Sequence, residues 1–283
     1  MAQPLIYPAE WKRLLACTDG SANSQIAVDQ TLALARSCES QVYLVQVLQI
    51  IPDFGDTPYL IAELEDDAQA RMEETKAKAA RMGVALETRI MAGVSPLSGI
   101  LEEAERVQPD LIIMGRYGLT GLPRLLMGSV TSRVIGYSPI NVLVIPLGAV
   151  LAFSRILIAS DGSPCSRVAW NEALSLAKQA HSPLLAVSVA TDECDLPAAK
   201  EIVQNLRVEA NQRNLPVEAR VLSGEPDEEI VQEALKYKVE LIILGSHGRT
   251  GLKKLLMGSV TERVIGQAPC PVLVVKQCGE EGA

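Results

Sequence analysis

Two glycine patterns and two aspartates are the residues of this chain best suited to chemistry. Gly115-x2-Gly118-x9-Gly128-Ser129 recurs as Gly245-x2-Gly248-x9-Gly258-Ser259. Glycine permits positive φ and lets backbone N–H groups approach a ligand closely, and a helix starting at the Gly-Ser pair would aim its free amides at an anion. Ser129 and Ser259 can either cap those helices or donate a hydroxyl to a phosphate oxygen. The helices would continue through VTSRVI and VTERVI, each with a positive end that favours an exposed negative charge by about 0.3–1 kcal/mol. Oligophosphate is the ligand that matches. Residues 115–135 carry Arg116, Arg124 and Arg133 with no acid, and residues 245–265 carry Arg249, Lys253, Lys254 and Arg263 against Glu262 alone. In a chain of net charge −8 these are local basic islands. Asp19 and Asp161, in CTDGS and ASDGS, admit two readings: an Asx turn leading into a helix, or a carboxylate that accepts a hydrogen bond from a ribose hydroxyl.

These residues need elements to position them, and the chain supplies the elements twice. Residues 115–135 and 245–265 agree at 15 of 21 positions without a gap, and Trp11–Ser21 is answered by Phe153–Ser163. The offset is 142 residues at the aspartates and 130 at the first glycines, so the second copy is 12 residues shorter between them. Pro52, Gly55 and Pro58 place the extra length in an irregular loop around residues 51–61. Copies of this size are duplicated domains rather than solenoid units. The expected division is a first domain at 1–147, a linker at 148–152 and a second domain at 153–283.

Each copy alternates strand and helix. Leu14–Cys17 reads as a buried strand, followed by a turn and an Ala/Leu-rich helix to about Cys38. Val42–Leu48 and Leu184–Val189 read as second strands, with charged helices after them over 62–82 and 198–213. Third strands follow at Glu87–Met91 and Glu218–Leu222, then helices opened by Pro96 and Pro226. Ser163-Pro164 fits an N-cap with proline at the first helical position. Leu111–Met114 and Leu241–Leu244 are fourth strands running into the glycine loops; Val142–Ile145 and Val272–Val275 are fifth strands. The fold class is α/β: two tandem copies of a five-stranded, parallel-type sheet with helices on both faces, Rossmann-like. In such a sheet the ligand crevice lies beyond the strand C-termini where strand order reverses, which would set Asp19 opposite the Gly115 loop and Asp161 opposite the Gly245 loop.

Composition narrows the function classes. Hydrophobic residues at 48%, charged residues at 21% and a mean hydropathy of +0.18 describe a globular chain rather than a disordered one. The longest nearly unbroken apolar run, Val142–Phe153, is well short of the ~20 residues that cross a bilayer. The first residues, MAQPLIYPAEWKR, show no basic start followed by an apolar stretch, so the expected address is cytoplasmic. Negative charge and 4% aromatics argue against nucleic acid and anionic membrane as partners. Six cysteines without a Cys-x-x-Cys pair, and two histidines, read as reduced thiols rather than a zinc site or disulfide framework. His247 reads as a loop-packing residue, and His181 as a helix-end residue.

On these motifs, both halves resemble the universal stress protein family over about Trp11 to Gln277, and the chain is similar to a tandem member of its nucleotide-binding subgroup. The resemblance implies the nucleotide-binding, α-hydrolase-like variant of the fold and ATP, with or without Mg²⁺, between the first and fourth strands. It places the ribose at Asp19 and Asp161, and the adenine edge at the backbone of Val47 and Val189. The phosphates fall to Gly115, Gly118, Gly128 and Ser129 with Val130 following, and to Gly245, Gly248, Gly258 and Ser259 with Val260 following. The second loop, Gly-Ser-His-Gly, follows the family pattern, whereas the first has Arg116 and Tyr117, which could clamp or crowd phosphate. By sequence the second site is the better formed, though its adenine side should be more open. The resemblance also implies that the halves mimic a dimer through their fifth strands; unburied edges would then favour a homodimer of the whole chain.

No Gly-Lys-Ser/Thr is present, and the repeated loop offers no evident water-activating carboxylate, so rapid turnover has no visible machinery. The expected function is that of a nucleotide-responsive binding protein acting on a regulatory protein partner. The alternatives are a nucleotide-free scaffold for dimerisation and protein contacts, and a slow ATPase or autophosphorylating protein. Nucleotidyl-transfer or flavin-binding relatives would need a signature such as His-x-Gly-His, which is missing.

Overall fold

The computed structural model describes residues 11–49, 57–119, 127–248 and 257–276. The first half comprises β1 (Arg13–Thr18), α1 (Ala22–Cys38), β2 (Gln41–Gln49), α2 (Thr57–Met82), β3 (Leu86–Gly93), α3 (Pro96–Val107), β4 (Leu111–Gly115), α4 (Ser129–Tyr137) and β5 (Val142–Ile145). The second half repeats the order as β6 (Ile156–Ala159), α5 (Pro164–Ala180), β7 (Leu184–Ala190), α6 (Leu196–Gln212), β8 (Val217–Ser223), α7 (Pro226–Lys236), β9 (Leu241–Gly245), α8 (Ser259–Gln267) and β10 (Val272–Val275). Local chemistry explains the helix starts. Ser21, Ser95 and Ser163 each sit in extended backbone and accept the N–H three residues on, with proline following two of them.

The two five-stranded units fuse into one ten-stranded sheet, ordered β3-β2-β1-β4-β5-β10-β9-β6-β7-β8. Every pairing is parallel except β5 with β10, which run antiparallel with Leu143 opposite Leu273. The fifth strands are therefore spent on each other within one chain. Strand order reverses between β1 and β4, and again between β6 and β9, so each half has its own crevice at its strand C-termini.

The strands in the middle of the sheet are buried throughout because helices cover both faces. Alternate residues divide between the layers. Leu14, Ile113, Leu143, Leu273, Ile243 and Trp170 belong to one apolar cluster, and Leu15, Ile112, Val144, Val272, Ile242 and Ile265 to the other. Both clusters draw on both halves.

The extra length of the first copy is mostly helix, which corrects the expected irregular loop at 51–61. Helix α2 begins at Thr57 and has 26 residues against 17 in α6. Pro58 falls in its first turn, where a missing N–H costs nothing. Pro52 and Gly55 lie outside the described residues. Cys17, Cys38, Cys194 and Cys270 form no disulfide, whereas Cys165 is disulfide-bonded, contrary to the expectation of reduced cysteines at that position. Among the described residues, no helix is long and apolar enough to cross a membrane.

Because the core is shared, the halves should unfold together. Calorimetry is expected to give one cooperative transition, and Leu273→Ala, by opening a cavity at the junction, should lower it by about 2–5 kcal/mol. Two resolved transitions, with only one moved by the substitution, would show the halves to be independent.

Candidate functional site

The first crevice is organised by Asp19. Beyond the end of β1 the chain turns through Gly20 at φ +81°, and Asp19 Oδ1 accepts the Ser21 N–H at 3.0 Å. This is the Asx turn, and it leaves Ser21 as the cap of α1. The other carboxylate oxygen, Oδ2, accepts the Leu119 N–H at 2.8 Å from the loop that leaves β4. Burial acts to raise the Asp19 carboxyl, but hydrogen bonds from Ser21, Leu119 and Ser24 outweigh it and hold the group below its ordinary range. In the second half Asp161 Oδ1 accepts the Ser163 N–H at 3.0 Å, and Gly162 has φ +80°.

The glycines serve this approach. A Cβ on Gly118 would overlap Asp19 Oδ2, and one on Gly248 would stand 2.7 Å from Asp161 Oδ2. A Cβ on Gly115 would stand 2.9 Å from the Asn23 carbonyl, so this buried residue lets the end of β4 press on the first turn of α1; Gly245 does the same against Cys165. Not every loop amide is bare, as the expected phosphate cradle would have it. Gly128 donates to the Arg116 carbonyl and Gly258 to the Ser246 carbonyl, each at 2.9 Å.

What stays available is the helix start. Gly128 and Gly258, rather than the serines, are the N-caps of α4 and α8, and neither helix has a side-chain cap bond. Ser129 and Ser259 are first helical residues, which removes the capping role expected as one option for them. The first helix-type bond in α4 runs from Ser132 N–H to the Gly128 carbonyl, so the amides of Ser129, Val130 and Thr131 have no intrahelical partner. Thr131 pins this turn to the sheet by donating to the Gly115 carbonyl at 3.0 Å, and Thr261 donates to the Gly245 carbonyl at 2.9 Å.

Asp19, Val47, Gly115, Gly118, Gly128 and Val130 line one cavity of about 470 Å³, a size suited to a small-molecule ligand. Val47 turns its side chain to Gly99 of α3. The β1–β2 ladder ends at the Thr18–Gln46 pair, so the β1-facing backbone of Val47 has no strand beside it. Cys17 is part of the wall; burial above all, with Glu103 adding to it, pushes its thiol well above the ordinary value, and it is no nucleophile.

Sequence reasoning missed several residues of this cavity, among them Gln46 on β2 and Asp67 and Arg71 on α2. The Arg71 guanidinium lies over Gly20, where a Cβ would come within 2.9 Å of Nε. From the matched starts of β3 and β8, Arg71 corresponds to Ile202 and Asp67 to Ala198. The signal was the extra length of α2, which read only as a loop. The longer α2 walls in the first site.

Two members of the basic islands, Arg116 and Arg263, are engaged elsewhere. Arg116, expected to clamp or crowd phosphate, reaches across the sheet junction and donates to the Gly266 carbonyl at 2.9 Å and to the Ala268 carbonyl, capping the C-terminal end of α8. Lys276 reciprocates by donating to the Ile135 carbonyl in α4. Arg263 pairs with buried Asp227 at 3.2 Å, and Arg133 is exposed. Arg124, Arg249, Lys253 and Lys254 lie outside the described residues. His247 places Nδ1 3.2 Å from Ser246 Oγ and its carbonyl 3.5 Å from Ser163 Oγ, and His181 is the left-handed C-cap of α5.

The sequence profile of the universal stress protein family matches residues 10–146 and 152–276. The chain belongs to that family. A universal stress protein of Mycolicibacterium smegmatis is 27% identical over 288 residues, covering 93% of this chain and 96% of its own. One from Methanocaldococcus jannaschii is 34% identical over 145 residues, covering 46% of this chain and 85% of its own. The crystal structure of a universal stress protein from Archaeoglobus fulgidus has the same fold, with a TM-score of 0.80 at 23% identity over 95% of this chain and 97% of its own.

Two outcomes follow from the geometry. Arg116→Ala should cost about 1–3 kcal/mol in denaturant unfolding, because it strips the carbonyl partner from the end of α8; unchanged stability would contradict the cross-junction cap. The lowered Asp19 carboxyl contributes stability that is present above the unfolded value of about 3.9 and is lost as pH falls through the lower folded value. Asp19→Asn should therefore be less stable than wild type at pH 7, and the difference should shrink below about pH 4; a gap that widens on acidification would reverse the assignment.

Proposed function

We propose that this universal stress protein binds ATP, with or without Mg²⁺, in the first-half crevice, and acts as a nucleotide-responsive regulatory protein rather than a rapid enzyme. The observation that carries the reading is the order of features across three adjacent strands. The open backbone edge of Val47 lies on β2, the Asp19 carboxylate ends β1, and the uncapped start of α4 lies beyond β4. From β2 to β4 is two strand spacings, about 10 Å. Base, sugar and phosphates come in the same order.

In this reading Val47 presents its backbone to the base. Asp19 keeps lone pairs for a ribose hydroxyl beside the two amides it already accepts, since an ionised carboxylate has about four acceptor positions. Gly118 and Gly128 let the loop close on the phosphates, with Ser129 and Val130 supplying first-turn amides at the positive end of α4. Gly115 contributes by setting the packing behind them. Asp161, Val189, Gly245, Gly248, Gly258, Ser259 and Val260 form the corresponding set, a second site with a shorter wall. Turnover is slow at most in this reading, since the sequence has no Gly-Lys-Ser/Thr and the repeated loop offers no evident water-activating carboxylate.

Bound phosphate would fix the Gly115–Leu119 segment of the loop. Arg116 then links that loop to the end of α8, and so to the other half. A regulatory partner that reads the loop surface would sense occupancy. A homodimer of the whole chain is part of the proposal, through the outer edges β3 and β8, since β5 and β10 are already paired.

Isothermal titration with ATP tests the reading. At least one ATP per chain is expected, with hydrolysis barely above background. Gly118→Val should abolish binding in the first half while the circular dichroism spectrum keeps its α/β shape. Absence of binding, with no thermal shift from ATP and Mg²⁺, would favour a nucleotide-free scaffold; multiple turnover would overturn the non-enzyme reading.

A further inference from the structure

Gln46 is the last residue of β2 to have β1 beside it, and its position invites a hydrophobic side chain. Leu44, two residues earlier on the same face, packs with Val28 and Met72. Gln46 is only 3% exposed, yet its Oε1 has no hydrogen-bond partner and the residue lines the cavity. An unpaired buried amide oxygen is costly, so such a residue in a strand interior asks for a ligand donor. A second orphan borders the same cavity: Arg71 Nε is buried without a partner. Neither exists in the second half, where the corresponding residues are Ser188 and Ile202.

We infer that Gln46 selects the base in the first site, its Oε1 accepting a hydrogen bond from the exocyclic amino group of adenine. This rests on the nucleotide reading above and adds what would distinguish one base from another. The orphan atom is an acceptor, which excludes phosphate as its partner. It lies on β2 next to Val47, whose open backbone the nucleotide reading gives to the base, and two strands from the phosphate end, so the base is the part of the ligand set beside it. A side-chain carboxamide presents an acceptor and a donor side by side, and adenine offers the complement at its amino group and adjacent ring nitrogen. The second site, with Ser188 in place of the carboxamide, lacks this selection.

A double-mutant cycle with the full chain tests the assignment. Titrations compare ATP with purine riboside triphosphate, which lacks only the amino group, in wild type, Gln46→Met and Ser188→Ala. Removing the amine should weaken first-site binding on the order of tenfold in wild type and in Ser188→Ala, but by less than about twofold in Gln46→Met. Equal losses in wild type and Gln46→Met would overturn the inference, as would a wild type indifferent to the amine, an arm that depends on no variant folding. If wild type binds neither triphosphate, the nucleotide reading itself has failed; if it binds both equally, that reading stands and only the base assignment falls.

Discussion

At the end of β1 a carboxylate accepts two backbone amides at once, one from its own turn and one from the loop beyond β4. The rest of the site depends on that bridge. It holds the reversal point of the sheet together where two strands diverge, and it works only because Gly118 has no Cβ to collide with Asp19 Oδ2. Gly115 then lets β4 press on α1, and Thr131 ties the start of α4 to the Gly115 carbonyl. The chain leaving β4 and the first turn of α4 are thus anchored at three points, with the helix start left without a side-chain cap beside a carboxylate. The second half repeats the Asx turn, the close glycine approach and the threonine tie.

Duplication gives the chain a second use for the same parts. The fifth strands, weak edges in a single unit, pair antiparallel and close the middle of a ten-stranded sheet. Arg116 and Lys276 reinforce the junction from opposite sides, each donating to a carbonyl at the C-terminal end of the other half's last helix. Because the Arg116 loop also shapes the first crevice, the stability of the junction and the order of that crevice share a residue. The copies have since diverged: an extended α2 and its Arg71 wall the first cleft, while the second keeps the shorter helix.

Much of this was legible in the sequence because it repeats. The strand runs, the proline-started helices, the Asp19 turn and the reversal point all follow from apolar patterning and turn chemistry that occur twice. The Gly-Ser pairs also pointed to the right helix starts, though the glycine rather than the serine proved to be the cap. Residues whose role depends on reach across the fold were not legible. Arg116 lies in a basic stretch, and only the placement of α8 reveals that its guanidinium serves helix carbonyls. Gln46 lies in an ordinary strand, and only its burial without a partner sets it apart. Arg71 is one charge among many on a helix, and nothing local says that it covers Gly20.

The most direct measurement is a crystal structure of the full chain grown with ATP. Density is expected in the first crevice with the base against β2, the ribose within hydrogen-bond distance of Asp19, and the phosphates on the amides of Ser129 and Val130. A first crevice empty at saturating ATP, or a nucleotide bound elsewhere on the chain, would contradict that arrangement.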